Sequence, residues 1–441
     1  MVGEGVWVDA LHRVRGGRGV VAGLVAAAAV LGLAVALLPF GSTGASGAED
    51  GSSPAPCGPA WVAAWRTSPQ AGQPFDLGGR TLRMLVRPQA TGSELRIRVS
   101  NRFGTRPLRI DSASAAEAGS GAALVPGTAR PVLFSGAPTV VVPPGEELAS
   151  DPLVFVAQRG TPLAISLYLP EEPDRVAVHP VALQTSYVSA PGDVADSADP
   201  GPFGRTVSSW FVLTGVDVLA PRAENAVVLV GDSLTDGVGS DPDRDDRWSD
   251  ALAGRLTGGL VMPVLNAGIS ANQLLGGGTG EAPAARYTAD VASVPGAADV
   301  VLHIGTNDLA AGRDAGEIVS GLVDYADRVR ADGRRVFLTT ITPSTAGAHG
   351  APFAVVQREA VNRWIRTEGP AHADGVFDFA AAVADPADPA RLAPAFDAGD
   401  GLHLSAAGYR ALAAAVDPAR LTGSPCLAGG DAARVLVSAP R

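Results

Sequence analysis

The sequence predicts a two-part protein: an all-β sandwich of jelly-roll type, then an α/β domain built on a parallel sheet. Three observations carry this. Residues 58–222 hold short runs of alternating apolar and polar residues, separated by turn residues, with no long amphipathic helix between them. From residue 223 onward, apolar runs alternate with helical patterns, the signature of a parallel sheet with helices on both faces. A chain of 441 residues, 46% hydrophobic and 18% charged, also has enough apolar material for two cores.

The boundaries follow from composition. Residues 1–48 read as a leader, 49–57 as a linker, 58–222 as the β-domain, 223–427 as the α/β domain and 428–441 as a tail. In the leader, His12, Arg13, Arg15 and Arg18 precede an uncharged run at 19–38, and Ser46-Gly47-Ala48 supplies small residues for cleavage. As a helix this run would span about 30 Å, so a cleaved export signal and an uncleaved membrane anchor both remain open. Either one places the body outside the cytoplasm, secreted or held on the outer face of the membrane. The two cysteines, Cys57 and Cys426, then read as a disulfide that staples the ends of the ordered body. The net charge of −11, without a basic run, argues against a nucleic-acid partner.

In the β-domain, residues 82–87 and 95–99 alternate apolar and basic side chains, as half-exposed strands do. Further strands are expected at 139–142, 153–156 and 163–169. Trp61, Trp65, Phe103, His179, Tyr187, Trp210 and Phe211 are its large side chains, read as core before a sugar-stacking platform.

In the α/β domain, strands are expected at 227–230, 260–265, 300–304, 336–340 and 375–377. Ile318, Leu322, Tyr325 and Val329 recur at helical spacing, as do Val356, Ala360, Val361, Trp364 and Ile365. Ser405 is placed to cap a last helix over 406–416.

The carboxyl ends of parallel strands share one rim, where such sheets bind ligands. Ser233 follows the first strand, Asn266-Ala267-Gly268 the second, Gly305-Thr306-Asn307-Asp308 the third, and Asp400-Gly401-Leu402-His403 precedes the last helix. Ester hydrolysis needs such a set. A serine hydroxyl becomes a nucleophile when a base takes its proton, and a histidine does so near neutral pH. A carboxylate holds the imidazole in one tautomer. The backbone N–H groups of Ser233 and Gly268, with the Asn307 amide, would form the oxyanion hole.

The blocks Gly231-Asp232-Ser233-Leu234, Asn266-Ala267-Gly268, Gly305-Thr306-Asn307-Asp308 and Asp400-x-x-His403 resemble, in order, the four blocks of the SGNH (GDSL) hydrolases. The resemblance implies a flavodoxin-like three-layer domain, with Ser233 as nucleophile, His403 as base, Asp400 as its orienter, and Gly268 and Asn307 as oxyanion donors. It implies no cofactor and no metal. More loosely, the β-domain resembles one found ahead of some secreted bacterial members.

Other polar residues read as structural. Asp232 serves the turn. His303, inside the third strand, reads as buried near the site, and His179, His349 and His372 as solvated, with His349 at a pocket mouth as an alternative. Asp241, Asp243, Asp245 and Asp246 lack the glycine and glutamate of a calcium loop. The glycine-rich 276–280 lacks the lysine of a phosphate loop and reads as a rim loop.

The expected activity is an exported serine esterase acting on a small acyl ester. A carbohydrate O-deacetylase and a non-catalytic glycan-binding surface protein are the alternatives.

Overall fold

Five short parallel strands form the sheet that carries the predicted site: β1 (Ala226–Gly231), β2 (Val264–Gly268), β3 (Ala297–His303), β4 (Arg335–Thr339) and β5 (Gly375–Phe377). Their spatial order, β2-β1-β3-β4-β5, is that of flavodoxin-like sheets, and the strand order reverses between β1 and β3 while all strands stay parallel. The structure is a computed structural model that describes residues 57–256, 261–424 and 426. The expected leader at 19–38 lies outside the described residues; among those described, no helix is long and apolar enough to cross a membrane.

The three layers follow from the alternation of side chains along a strand. On β1, Val228 and Val230 join one core with Ile318, Leu322, Tyr325 and Val361. Val227 and Leu229 join a second core with Trp248, Tyr409 and Leu412. The main helices are α1 (Ser233–Asp236), α2 (Thr306–Ala310), α3 (Ala315–Ala331), α4 (Pro352–Thr367) and α5 (Ala406–Ala415). Asp314 and Glu317 close a capping box on α3, and Ser405 caps α5 through the Gly408 N–H, as expected. On α3 the expected apolar stripe is buried.

Two details differ from expectation. The second strand begins at Val264, because its register with β1 runs from Val227↔Val264 to Gly231↔Gly268. On α4, Val356 is 64% exposed, while Arg358 and Asn362 turn inward. Arg358 donates to the Ser344 and Ala390 carbonyls, and Asn362 pairs with both backbone groups of Ile341. Both terminal nitrogens of Arg358 and both amide atoms of Asn362 are taken by backbone, which lowers the cost of burying them.

The N-terminal region is rich in antiparallel strands, matching the expected β-domain, and two larger sheets dominate it. One runs Ala60–Arg66, Leu213–Ala220, Gly92–Ser100 and Leu153–Ala157; the other is built around Arg80–Val86 and Leu163–Leu169. Leu95, Ile97 and Val99 face the core, while Arg96 and Arg98 on the opposite face pair with the buried Asp217. Trp65, Trp210 and Phe211 are buried, in keeping with a core role. Cys57 and Cys426 form a disulfide with Cα atoms 5.2 Å apart, closing the described body at its two ends.

Candidate active site

The site begins at the exit of β1. Gly231 is forced by packing: a Cβ there would collide with the Thr235 hydroxyl and the His303 carbonyl. Asp232 caps α1 by accepting the Leu234 N–H at 3.1 Å, so Ser233 stands as the first residue of the turn, its N–H outside any intrahelical bond. Burial pushes the Asp232 carboxyl up to about 7; the Leu234 N–H opposes this, and the nearby Asp308 and Asp236 reinforce it.

His403 Nε2 lies 3.0 Å from Ser233 Oγ, and His403 Nδ1 lies 2.7 Å from Asp400 Oδ2. The other oxygen of Asp400 accepts the backbone N–H groups of Leu402 and His403, at 2.9 and 2.8 Å. Burial pushes this carboxyl up, but the bonds from the His403 ring and from the two backbone groups outweigh it and hold it below the usual range. A carboxylate at Nδ1 requires Nδ1 to carry the proton, which leaves Nε2 of the neutral ring as the acceptor for the Ser233 hydroxyl. The segment after β4 clamps this loop, since Thr345 N–H and Ser344 Oγ both donate to the Gly401 carbonyl at 2.9 Å.

Asn307, at the start of α2, comes from the exit of β3 across the switch point. Its Nδ2 donates to the Asn272 carbonyl at 2.9 Å, and its Oδ1 accepts from His349 Nε2 at 3.1 Å. A carbonyl can only accept, so the amide orientation is set by its neighbours, and one N–H remains for a substrate.

Gly268 departs from expectation. Its N–H donates to Asn266 Oδ1 at 2.9 Å and is therefore occupied. Its lack of a side chain serves packing instead, since a Cβ would collide with the backbone of Asp236. Three residues later Ala271 adopts a left-handed conformation, φ 60°. Its N–H donates to no group among the described residues, whereas Ser270 on one side is tied to Asp236 and Asn272 on the other to Asn307.

The same loop is anchored at both ends by buried acids. Asp236 accepts the Ser270 N–H at 2.9 Å and the Ser270 hydroxyl at 2.5 Å. Asp308 accepts the N–H groups of Leu274 and Leu275 at 2.8 and 2.9 Å. Neither role was legible in sequence, because each carboxylate meets partners more than thirty residues away. The glycine-rich rim is tied as well: Asn272 Nδ2 donates to the carbonyls of Thr279 and Glu281.

The remaining histidines divide. His303 is buried as expected, bonded to Thr339 Oγ1 at 2.7 Å, and burial pulls its ring down to about 3, so it is neutral. His179 is not solvated: it is 5% exposed and bonded to Asp236. His349 is half-buried against Asn307, and burial, then the nearby His403, lower its pKa. Of the acidic run, Asp243 accepts from Gln184 and Thr185, and Asp245 pairs with Arg87. Among the described residues no His, Cys, Asp or Glu cluster is arranged to hold a metal ion.

No curated protein matches the chain. Three similar solved structures are the aryl esterase of M. smegmatis (20% identity, 43% of this chain and 95% of that one, TM-score 0.36), a GDSL-like lipase from Bacteroides thetaiotaomicron VPI-5482 (20%, 44% and 87%, 0.35) and a member of the lipolytic protein G-D-S-L family from Veillonella parvula DSM 2008 (18%, 43% and 94%, 0.33). Residues 229–411, from within β1 into α5, match the GDSL-like Lipase/Acylhydrolase family. The α/β region of this chain thus carries a GDSL-like lipase/acylhydrolase domain at residues 229–411.

Proposed function

We propose that the chain is a serine esterase that hydrolyses carboxylic acyl esters through an acyl-enzyme. The observation that carries this reading is the unbroken line from Ser233 Oγ through His403 to Asp400, with contacts of 3.0 and 2.7 Å. His403 takes the Ser233 proton as Oγ attacks the ester carbonyl, then returns it to the departing alcohol. Water, deprotonated by the same ring, releases the acid. The oxyanion meets the Ser233 N–H, the free N–H of Asn307 and the N–H of Ala271, which takes the place expected of Gly268.

Substrate choice belongs to the loops that rim Ser233, and a small acyl ester is the class proposed. Export is part of the same proposal, supported by the uncharged run at 19–38 and the disulfide between Cys57 and Cys426.

The test is p-nitrophenyl acetate hydrolysis by the wild type and Ser233→Ala. Loss of turnover by about 10³-fold or more, with an unchanged thermal transition, is expected. Full retained activity in the variant defeats the reading. Rates on C2 to C16 acyl esters and on acetylated xylan then define the substrate.

A further inference from the structure

We propose that His179, a residue of the β-domain, is a positioning residue of the hydrolytic site: as an imidazolium it holds Asp236, and through Asp236 the loop that faces Ser233. The inference rests on the esterase reading for its kinetic consequence and on geometry for the rest.

The ring of His179 is 5% exposed and stacks on Trp210, with centroids 5.6 Å apart. Its Nδ1 lies 2.9 Å from the Ser68 carbonyl, and its Nε2 lies 2.9 Å from Asp236 Oδ1. Both partners are acceptors. A neutral imidazole has one donor and one acceptor nitrogen, so it would leave one of these contacts as two lone pairs face to face. Against an Asp236 carboxylate, only the doubly protonated ring satisfies both. Burial alone would pull the ring toward neutrality, but the Asp236 carboxylate and the Ser68 carbonyl outweigh it and raise its pKa above the ordinary value.

Asp236 is 3% exposed and ends α1, three residues after Ser233. Its second oxygen takes both bonds from Ser270. One carboxylate thus joins a β-domain histidine, the nucleophile turn and the segment that presents Ala271 and Asn272. Asp308 fixes the downstream end of that segment from within the α/β domain. The upstream end depends on the β-domain. Ser68 strengthens the junction, since its hydroxyl also accepts from the buried Arg286 at 3.1 Å.

Deprotonation of His179 removes one of its two bonds and leaves the buried Asp236 charge without its cation. Arg247, Arg66, Arg87, Asp245 and Asp250 line, with His179 and Asp236, a cavity of about 40 Å³; Asp232 and Tyr409 also sense the Asp236 charge, and Arg286 meets Ser68. Arg247 is committed to Asp250 at 2.7 Å and to the Ala182 carbonyl at 3.0 Å, Arg66 to Asp217, and Arg87 to Asp245. The folded pKa of His179 is raised, so its contribution is full below the ordinary histidine pKa and is lost as pH rises through the folded value.

The experiment uses the full chain as wild type and His179→Gln, whose amide can serve only one of the two acceptors as a donor. Imidazole ¹⁵N spectra, with His179 assigned by its loss in the variant, are expected to show both ring nitrogens protonated at pH 7; a neutral single tautomer there overturns the proposal. Amide exchange across 266–276 is expected to rise about fivefold or more in the variant, with Arg335–Thr339 unchanged; equal exchange in both proteins overturns it. Neither readout requires ester turnover, so they separate this proposal from the esterase reading. On an ester that the wild type hydrolyses, kcat is expected to fall about 10–100-fold with KM within about twofold, and the alkaline decline of the wild-type pH profile to be absent. A kcat within twofold of wild type overturns the positioning role. If His179→Gln does not fold, Ser270→Ala carries the exchange measurement with the same expected and overturning results, and the wild-type spectrum decides the protonation state, His179 then being assigned by its correlation across the Asp236 contact.

Discussion

Asn307 accepts a hydrogen bond from His349 Nε2 at 3.1 Å while its own amide nitrogen donates to the Asn272 carbonyl at 2.9 Å. The segment that carries His349 also clamps the Asp400–His403 loop through Ser344 and Thr345. One connection after β4 therefore positions both the Asn307 amide and the loop whose His403 ring lies against Ser233. His349→Ala is expected to lower kcat about 3–10-fold, and Asn307→Ala about 10²–10³-fold, the cost of losing one oxyanion donor elsewhere. His349→Gln, which keeps a donor, is expected to recover part of the loss. Steady-state rates on one p-nitrophenyl ester check this; equal kcat for wild type and His349→Ala removes His349 from the site.

Asp400 serves two tasks with two oxygens, one on backbone N–H groups and one on the His403 ring. Asp400→Asn keeps a side-chain oxygen for the backbone but favours the wrong imidazole tautomer. A fall in kcat of about 10³–10⁴-fold is expected, with a modest loss of thermal stability at neutral pH. The wild-type carboxyl is depressed, so the stability it adds is present above the ordinary aspartate pKa and is lost as pH falls through its folded value. Acid unfolding curves of the two proteins are expected to converge at the lowest pH.

Asp232 shows the opposite sign. Its folded pKa of about 7 lies above the unfolded value, so folding is unaffected by this group at pH below about 4 and is progressively penalised as pH rises to 7. Asparagine keeps the cap without the charge. Asp232→Asn is expected to be more stable than wild type at pH 7 by up to about 4 kcal/mol, the difference shrinking toward pH 4. Urea unfolding at both pH values measures it; a destabilised variant at pH 7 contradicts the burial argument.

Ala271 carries a left-handed backbone that costs an L-residue about 1–2 kcal/mol, against about 0.4–1 kcal/mol for the extra unfolded-state freedom of glycine. Ala271→Gly is expected to raise stability by about 0.5–1 kcal/mol and to leave kcat within about threefold, because the backbone N–H is unchanged. Denaturant midpoints and ester rates read the two effects separately.

Much of the architecture was legible because local pattern and burial agree. The runs at Val227, Val300 and Val336 are strands whose two faces both meet apolar layers, and such runs are continuous in sequence. The stripe Ile318, Leu322, Tyr325 and Val329 is buried because nothing polar interrupts it. The α4 face was misjudged at Val356 because Arg358 and Asn362 look solvent-facing by type, and only the backbone groups waiting for them make their burial affordable.

For the site, sequence alone placed a serine, a glycine, an asparagine and a histidine, with Asp400 three residues before that histidine, at one sheet edge, since strand exits of a parallel sheet converge whatever the loops do. Only the tertiary structure decided which groups remain available there. Gly268 has a backbone donor in any sequence reading, but its N–H is spent on Asn266, while the unremarked Ala271 keeps its own. His179 reads as a loop histidine until the two domains close around it and present it with a carbonyl and a carboxylate. A residue type is a property of the chain; whether its hydrogen bonds are already taken is a property of everything packed around it.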